Sequence, residues 1–139
     1  MKVEAYLFFG GRCEEAVEFY KQALGAKQGR LVRYKDSPEP LPPDMVPPGY
    51  ENKVVFTELQ VGDTMVNACD DATRAITGFQ GFRLSLSVAS EAEAKRVFAA
   101  LANGGEVNMP LAKTFFSLCF GMLKDKFGVG WMVIVPGEG

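Results

Sequence analysis

Histidine does not occur anywhere in the 139 residues. Its absence removes the Ser-His-Asp triad, the Cys-His dyad, imidazole proton shuttles and every imidazole metal site. Cysteine is scarce and odd in number. Cys13, Cys69 and Cys119 are far apart, which makes neither a disulfide framework nor a CxxC pattern and points to a reducing cytoplasm. A charge excess is missing too: fifteen Lys and Arg against seventeen Asp and Glu leave a net charge of −2. A nucleic-acid partner held by phosphate neutralisation is therefore not expected. No apolar run reaches bilayer length, and the short stretch Ala5 to Phe9, with Glu4 before it, reads as a strand rather than a signal-peptide core. No membrane partner is expected. What is present, 47% hydrophobic and 23% charged residues, excludes disorder and fits about one soluble domain.

The hydrophobic period then changes several times along the chain. Val3, Ala5, Leu7 and Phe9 alternate as a strand, and Gly10-Gly11 breaks it. From Arg12 the period becomes helical, with Ala16, Val17, Tyr20 and Leu24 on one face and Gly25 as the stop. A strand over 26–34 follows. Six of the eight prolines then crowd into Asp36 to Tyr50; lacking ladder donors, this segment reads as a semi-rigid loop with polyproline bias. Its two readings are a surface excursion and a lid, the loop Ser37 to Gly49. Lys53 to Gln60 and Thr64 to Cys69 read as a hairpin. Phe82, Leu84, Leu86 and Val88 alternate as a half-buried strand, and Ser90 with Glu93 forms a capping box. Ala94, Val97, Phe98 and Leu101 make the core stripe of a second helix, which ends at Gly104-Gly105. Strands around Glu106, over 114–123 and over 131–135 finish the pattern.

The order strand-helix-strand-strand-strand thus occurs twice, over about 1–70 and 80–136. The fold class expected is α+β: one domain over 1–139, built of two βαβββ modules. One helix covers only one face of each four-stranded sheet, so the other faces meet and leave a cleft. Exposed strand edges predict a homodimer.

Residues at both ends of the chain resemble a known family. Tyr6-Leu7-x-Phe9-x-Gly11, Glu15-Ala16-x-x-Phe19-Tyr20 and Leu24-Gly25-Ala26 look like the PhnB-like family of the glyoxalase/bleomycin-resistance/dioxygenase (vicinal oxygen chelate) superfamily. Phe120-Gly121-x-x-x-Asp125-Lys126-Phe127-Gly128-x-x-Trp131-Met132 is similar to it as well. The resemblance covers nearly the whole chain and implies paired βαβββ modules in a U-shaped cup, usually dimeric. It also implies where a divalent metal would be held, and those positions fall here on Ala5, Asn67, Arg83 and Ile134. Alanine and isoleucine cannot ligate, and a guanidinium repels a cation. Phe56, Ala68 and Leu118 stand at further positions where the family tends to carry His or Asp. No metal and no other cofactor is expected.

The candidate site residues are Phe56, Glu58, Asn67, Arg83 and Phe116. Phe56 and Glu58 share strand parity, Asn67 and Arg83 take ligand positions implied by the resemblance, and Phe116 stands where the family often has tryptophan. Glu58 is the one candidate carboxylate base; as a strand glutamate it also reads as solvent-facing. Arg83 reads as a clamp for a carboxylate or phosphate oxygen or as a structural ion-pair partner. Cys13, near a helix start, reads as a small cap-region residue rather than a thiolate nucleophile. Phe8, Phe56, Phe115, Phe116, Phe120 and Trp131 read as core or as stacking surfaces. Gly10-Gly11 lacks the setting of a nucleotide loop, which leaves a methyltransferase reading without support. The function expected is metal-free binding of a small organic molecule in an aromatic cup. The alternative is a divalent-metal-dependent or carboxylate-base lyase, isomerase or dioxygenase of the superfamily.

Overall fold

The computed structural model describes residues 1–39 and 41–137. It forms two compact units, Met1–Thr77 and Gly78–Gly139, each with the predicted order of elements. In the first unit, β1 (Ala5–Phe9) leads to α1 (Cys13–Leu24), then β2 (Lys27–Arg33), β3 (Val54–Val61) and β4 (Thr64–Asp70). In the second, β5 (Leu84–Ser87) leads to α2 (Glu91–Ala102), then β6 (Glu106–Ala112), β7 (Ser117–Lys124) and β8 (Gly130–Pro136). The sheet orders are β1-β4-β3-β2 and β5-β8-β7-β6. In each, the first strand pairs in parallel with the last, and the other pairs are antiparallel. The duplication read from the sequence is therefore a duplication of topology.

In the first sheet Leu7, Phe9, Thr57, Leu59 and Ala68 are buried with Ala16, Val17, Tyr20 and Ala23 of α1. Tyr6 and Phe8 point to the opposite, open face, because strand side chains alternate. Thr57 is fully buried beside an irregularity in β2, and its hydroxyl donates to the Arg30 carbonyl at 2.9 Å. That bond satisfies an acceptor displaced from the ladder. Gly25 ends α1 in the left-handed region, φ 66°, with its N–H on the Lys21 carbonyl, as expected.

In the second sheet a Cβ on Gly121 would stand 2.8 Å from the Phe98 ring of α2. The helix-covered face of β7 and β8 therefore carries Cys119, Gly121, Leu123, Trp131, Val133 and Val135. Ser90 accepts the Glu93 N–H at 3.2 Å as the serine half of the capping box. Several strands are shorter than their sequence pattern, β1 among them, since it begins at Ala5 and leaves Val3 exposed. Phe82 and Arg83 precede β5, whose ladder to β8 begins with Leu84 against Trp131. Residues 114–116 precede β7, since Ser117 already pairs with Pro136, the last residue of β8. Conversely β6 runs seven residues, with Pro110 accommodated on an edge strand beside a register shift.

The proline-rich loop between β2 and β3 holds short 3₁₀ turns at Tyr34–Asp36, Pro43–Met45 and Tyr50–Asn52; Pro40 lies outside the described residues. Its base is closed: the Tyr34 N–H donates to the Lys53 carbonyl at 3.0 Å, and the Tyr34 and Tyr50 rings meet edge to face.

Candidate functional site

The open face of the first sheet is aromatic with polar interruptions. Tyr6 is in register with Asn67, and Asn67 with Glu58, so the three form a row across β1, β4 and β3. Beside it the Tyr6 and Phe8 rings stack at 4.9 Å, and the Phe56 ring lies 6.5 Å from Tyr6. Arg74 sits over the Phe8 ring at 5.5 Å and is held by Asp71 at 2.9 Å. Glu58 lies over Gly29 of β2, where a Cβ would come within 2.8 Å of its Cγ, and accepts a long 3.4 Å bond from the Arg30 N–H. The Asn67 amide is half-buried and makes no hydrogen bond to another described residue.

Among the described residues no strong nucleophile stands on this face. Burial, then the Tyr6–Cys69 proximity, pushes the Tyr6 phenol up to about 12, and burial, then Asp71, pushes the Cys69 thiol up to about 11. Both stay protonated near neutrality. Cys13 is fully buried, and its thiol is pushed up by burial and by Asp70. The helix dipole that would favour its thiolate is already answered: Asp70 Oδ1 accepts the Gly11 and Cys13 N–H groups at 2.7 and 2.9 Å.

In the second unit Arg83 lies on the open face, by parity with Leu84 on the covered one. Its Nη1 donates to the Leu123 carbonyl at 2.9 Å and to Asn108 Oδ1 at 3.1 Å. Phe116 lies in the bend before β7 and meets Phe120 edge to face at 5.2 Å. Phe115 is almost wholly exposed. Trp131 belongs to the core instead, its indole N–H donating to the buried Asp125 at 2.9 Å. Phe56, Glu58 and Asn67 thus share one sheet face in the first unit, and Arg83 and Phe116 belong to the second. Tyr6 and Arg74 were missed by sequence reasoning. Tyr6 was legible from the parity of β1; Arg74 lies in an irregular segment that carries no periodic signal.

The residues do not fit a divalent cation. Asn67, Arg83 and Ile134 do fall on open faces, but Ala5 shares the covered face with Leu7 and Phe9. The β1 residue in register with Asn67 is Tyr6, so the expectation at Ala5 is displaced by one residue through strand parity. The donor set becomes a protonated phenol, an amide, a guanidinium and an isoleucine. Among the described residues no three His, Cys, Asp or Glu side chains cluster to hold a metal.

Paired βαβββ units of this strand order define the glyoxalase/bleomycin-resistance fold. A glyoxylase/bleomycin resistance protein/dioxygenase domain from Frankia sp. EAN1pec shares it, with a TM-score of 0.70 at 15% identity over 100% of this chain and 94% of that one. Within that fold, residues 1–134 match the family model described as 3-demethylubiquinone-9 3-methyltransferase, and the chain belongs to that PhnB-like family. Protein YjdN of Escherichia coli K12 is 30% identical, covering 97% of this chain and 95% of its own. Protein PA1353 of Pseudomonas aeruginosa is 39% identical, with a TM-score of 0.86 and 98% of both chains covered. A PhnB protein of Bacillus cereus, also described as a 3-demethylubiquinone-9 3-methyltransferase, is 28% identical with a TM-score of 0.80, covering 97% of this chain and 99% of that one.

Proposed function

We propose that this chain binds a small, flat organic molecule on the open face of its first sheet, without a resident metal. The observation that carries the reading is the half-buried Asn67 amide, unbonded to other described residues and set beside the Tyr6, Phe8 and Phe56 rings. A stacked ligand would satisfy that amide, and a few polar groups among aromatic walls give a pocket its specificity. Glu58 supplies an acceptor in the same row. The methyl transfer named in the family description finds no nucleotide turn here. The Gly10-Gly11 bend precedes a helix start where Asp70 already takes the Gly11 and Cys13 N–H groups, at the place a phosphate would otherwise bind. We place the protein in the reducing cytoplasm and as a homodimer, which sedimentation at micromolar concentration tests.

The test of the ligand reading is a thermal-shift screen of planar heteroaromatics, with and without manganese, nickel or zinc. A ligand at a hundred times its Kd should raise stability by about 2.7 kcal/mol. Asn67→Leu should abolish the shift and leave the unliganded Tm within a degree or two. Stabilisation by a metal alone would overturn the metal-free reading. Turnover of a bound compound that is lost in Glu58→Gln would replace binding by carboxylate-base catalysis.

A further inference from the structure

The second unit carries a cleft of about 600 Å³ at one end of its open face, lined by Gln80, Phe82, Arg83, Asn108, Lys124 and Gly130 among others. The geometry points to a binding site for the anionic group of a small organic acid, a carboxylate or a phosphate, held by Arg83 and Lys124. This goes beyond the ligand reading for the first sheet and uses none of its residues.

Arg83 is built into position. Gly130 has no side chain, and a Cβ there would stand 3.1 Å from Arg83 Cγ and 3.3 Å from Nη1. The arginine therefore lies across β8 toward β7 and β6, and Nη1 is fixed by the Leu123 carbonyl and Asn108 Oδ1 at 2.9 and 3.1 Å. Both acceptors are neutral. Among the described residues Arg83 makes no ion pair, so a half-buried guanidinium is held in one orientation with its charge unanswered. An incoming oxyanion meets a pre-ordered donor and need not immobilise a long side chain. Guanidinium–oxyanion bonds are also charge-assisted.

The neighbours extend the donor set. Asn108 gives its oxygen to Arg83, which leaves its NH₂ as a donor. Lys124 is in register with Gly130 on one side and Glu106 on the other, so a second cation stands in the row that Arg83 crosses. Among the described residues Glu106 is the one acid lining the cleft, on the edge strand, and opposes an anion there. The half-exposed Phe82 ring offers an apolar wall for the body of the acid.

The experiment is an amide NMR titration of the intact chain with benzoate and with phenyl phosphate, against neutral benzamide and matched sodium chloride. Both anions should shift the Gly128, Gly130 and Asn108 side-chain amides at millimolar concentration, and benzamide should not. Lys124→Met and Arg83→Met should each weaken binding at least tenfold, and Glu106→Gln should tighten it several-fold. Lys124 is exposed, so its variant tests the site even if Arg83→Met fails to fold. Asn67→Leu should leave these shifts intact, which separates this site from the first-sheet reading. Preference for phenyl phosphate over benzoate would identify the group as phosphate, and the reverse as carboxylate. Equal shifts with benzamide, or unchanged affinity in Lys124→Met, would overturn the proposal.

Discussion

Asp70, the last residue of β4, caps a helix that lies 57 positions earlier: its Oδ1 accepts the Cys13 N–H at 2.9 Å. The local cap position, Arg12, makes no side-chain cap bond; its guanidinium pairs with Glu15 instead. The same carboxylate also takes the N–H of Gly11 at 2.7 Å and, through Oδ2, that of Val54 at 3.2 Å. One side chain thus ties the starts of α1 and β3 to the end of β4. Asp70→Ala should cost about 2–3 kcal/mol, combining a lost cap with charge-assisted buried bonds. Asp70→Asn, which keeps one acceptor oxygen, should cost about half as much. Urea unfolding at constant m-value measures both, and an Asp70→Ala effect within 0.5 kcal/mol would show that the helix start finds other partners.

Gly29 and Glu58 form a second pairing with a definite sign. A methyl group at Gly29 would meet Glu58 Cγ at 2.8 Å, so Gly29→Ala must displace that side chain. The single change should destabilise by about 1–2 kcal/mol. In the background of Glu58→Ala the same change should cost less than half of that. A coupling energy near zero in this double-mutant cycle would mean that β2 moves instead.

Such pairings explain which parts of the molecule were readable in sequence. The signature residues of the family are largely structural here: Leu7 and Phe9 are core, Gly25 ends α1, Gly121 admits Phe98, and Asp125 holds Trp131. Period, caps and glycines therefore revealed the duplicated fold, because those features encode it locally. The shared parity of Phe56 and Glu58 was readable in the strand pattern, whereas Asn67 came only from the resemblance. Arg83's partners did not, since Asn108 and Leu123 are brought to it only by strand pairing 25 and 40 residues away. The Ala5 position failed for a simpler reason: a one-residue slip in a strand moves a side chain to the other face.

The single tryptophan gives the second unit its own reporter. Trp131 donates to Asp125 Oδ2, while Oδ1 takes the Phe127 and Val129 N–H groups at 2.9 and 3.1 Å. Trp131→Phe keeps an aromatic ring but leaves Oδ2 of a buried carboxylate without its indole donor. It should destabilise by about 2–4 kcal/mol, more than the lost volume alone. Combining it with Asp125→Asn should recover part of that cost, measured by circular dichroism melts because the fluorophore is gone. A full additive loss would argue that the indole bond contributes little.

Alkaline pH should weaken the fold, and the sign follows from the raised thiol and phenol values. Cys69 is pushed up to about 11 by burial and then by Asp71; Tyr6 is pushed up to about 12 by burial and then by Cys69. Unfolded, a thiol and a phenol release their protons near about 8.5 and about 10. The folded state therefore holds protons that the unfolded state has already lost, and stability falls as pH rises through that window. The urea midpoint should be flat from pH 7 to about 8 and decline between about 9 and 11. Cys69→Ala should remove close to one proton from the slope near pH 10, leaving the contributions of Tyr6 and the buried Cys13. Thiol alkylation at pH 8 should be slow for the same reason, since Cys13, Cys69 and Cys119 are all buried and Cys69 is held as a thiol. An unchanged slope in Cys69→Ala would show that this thiol ionises alike in both states.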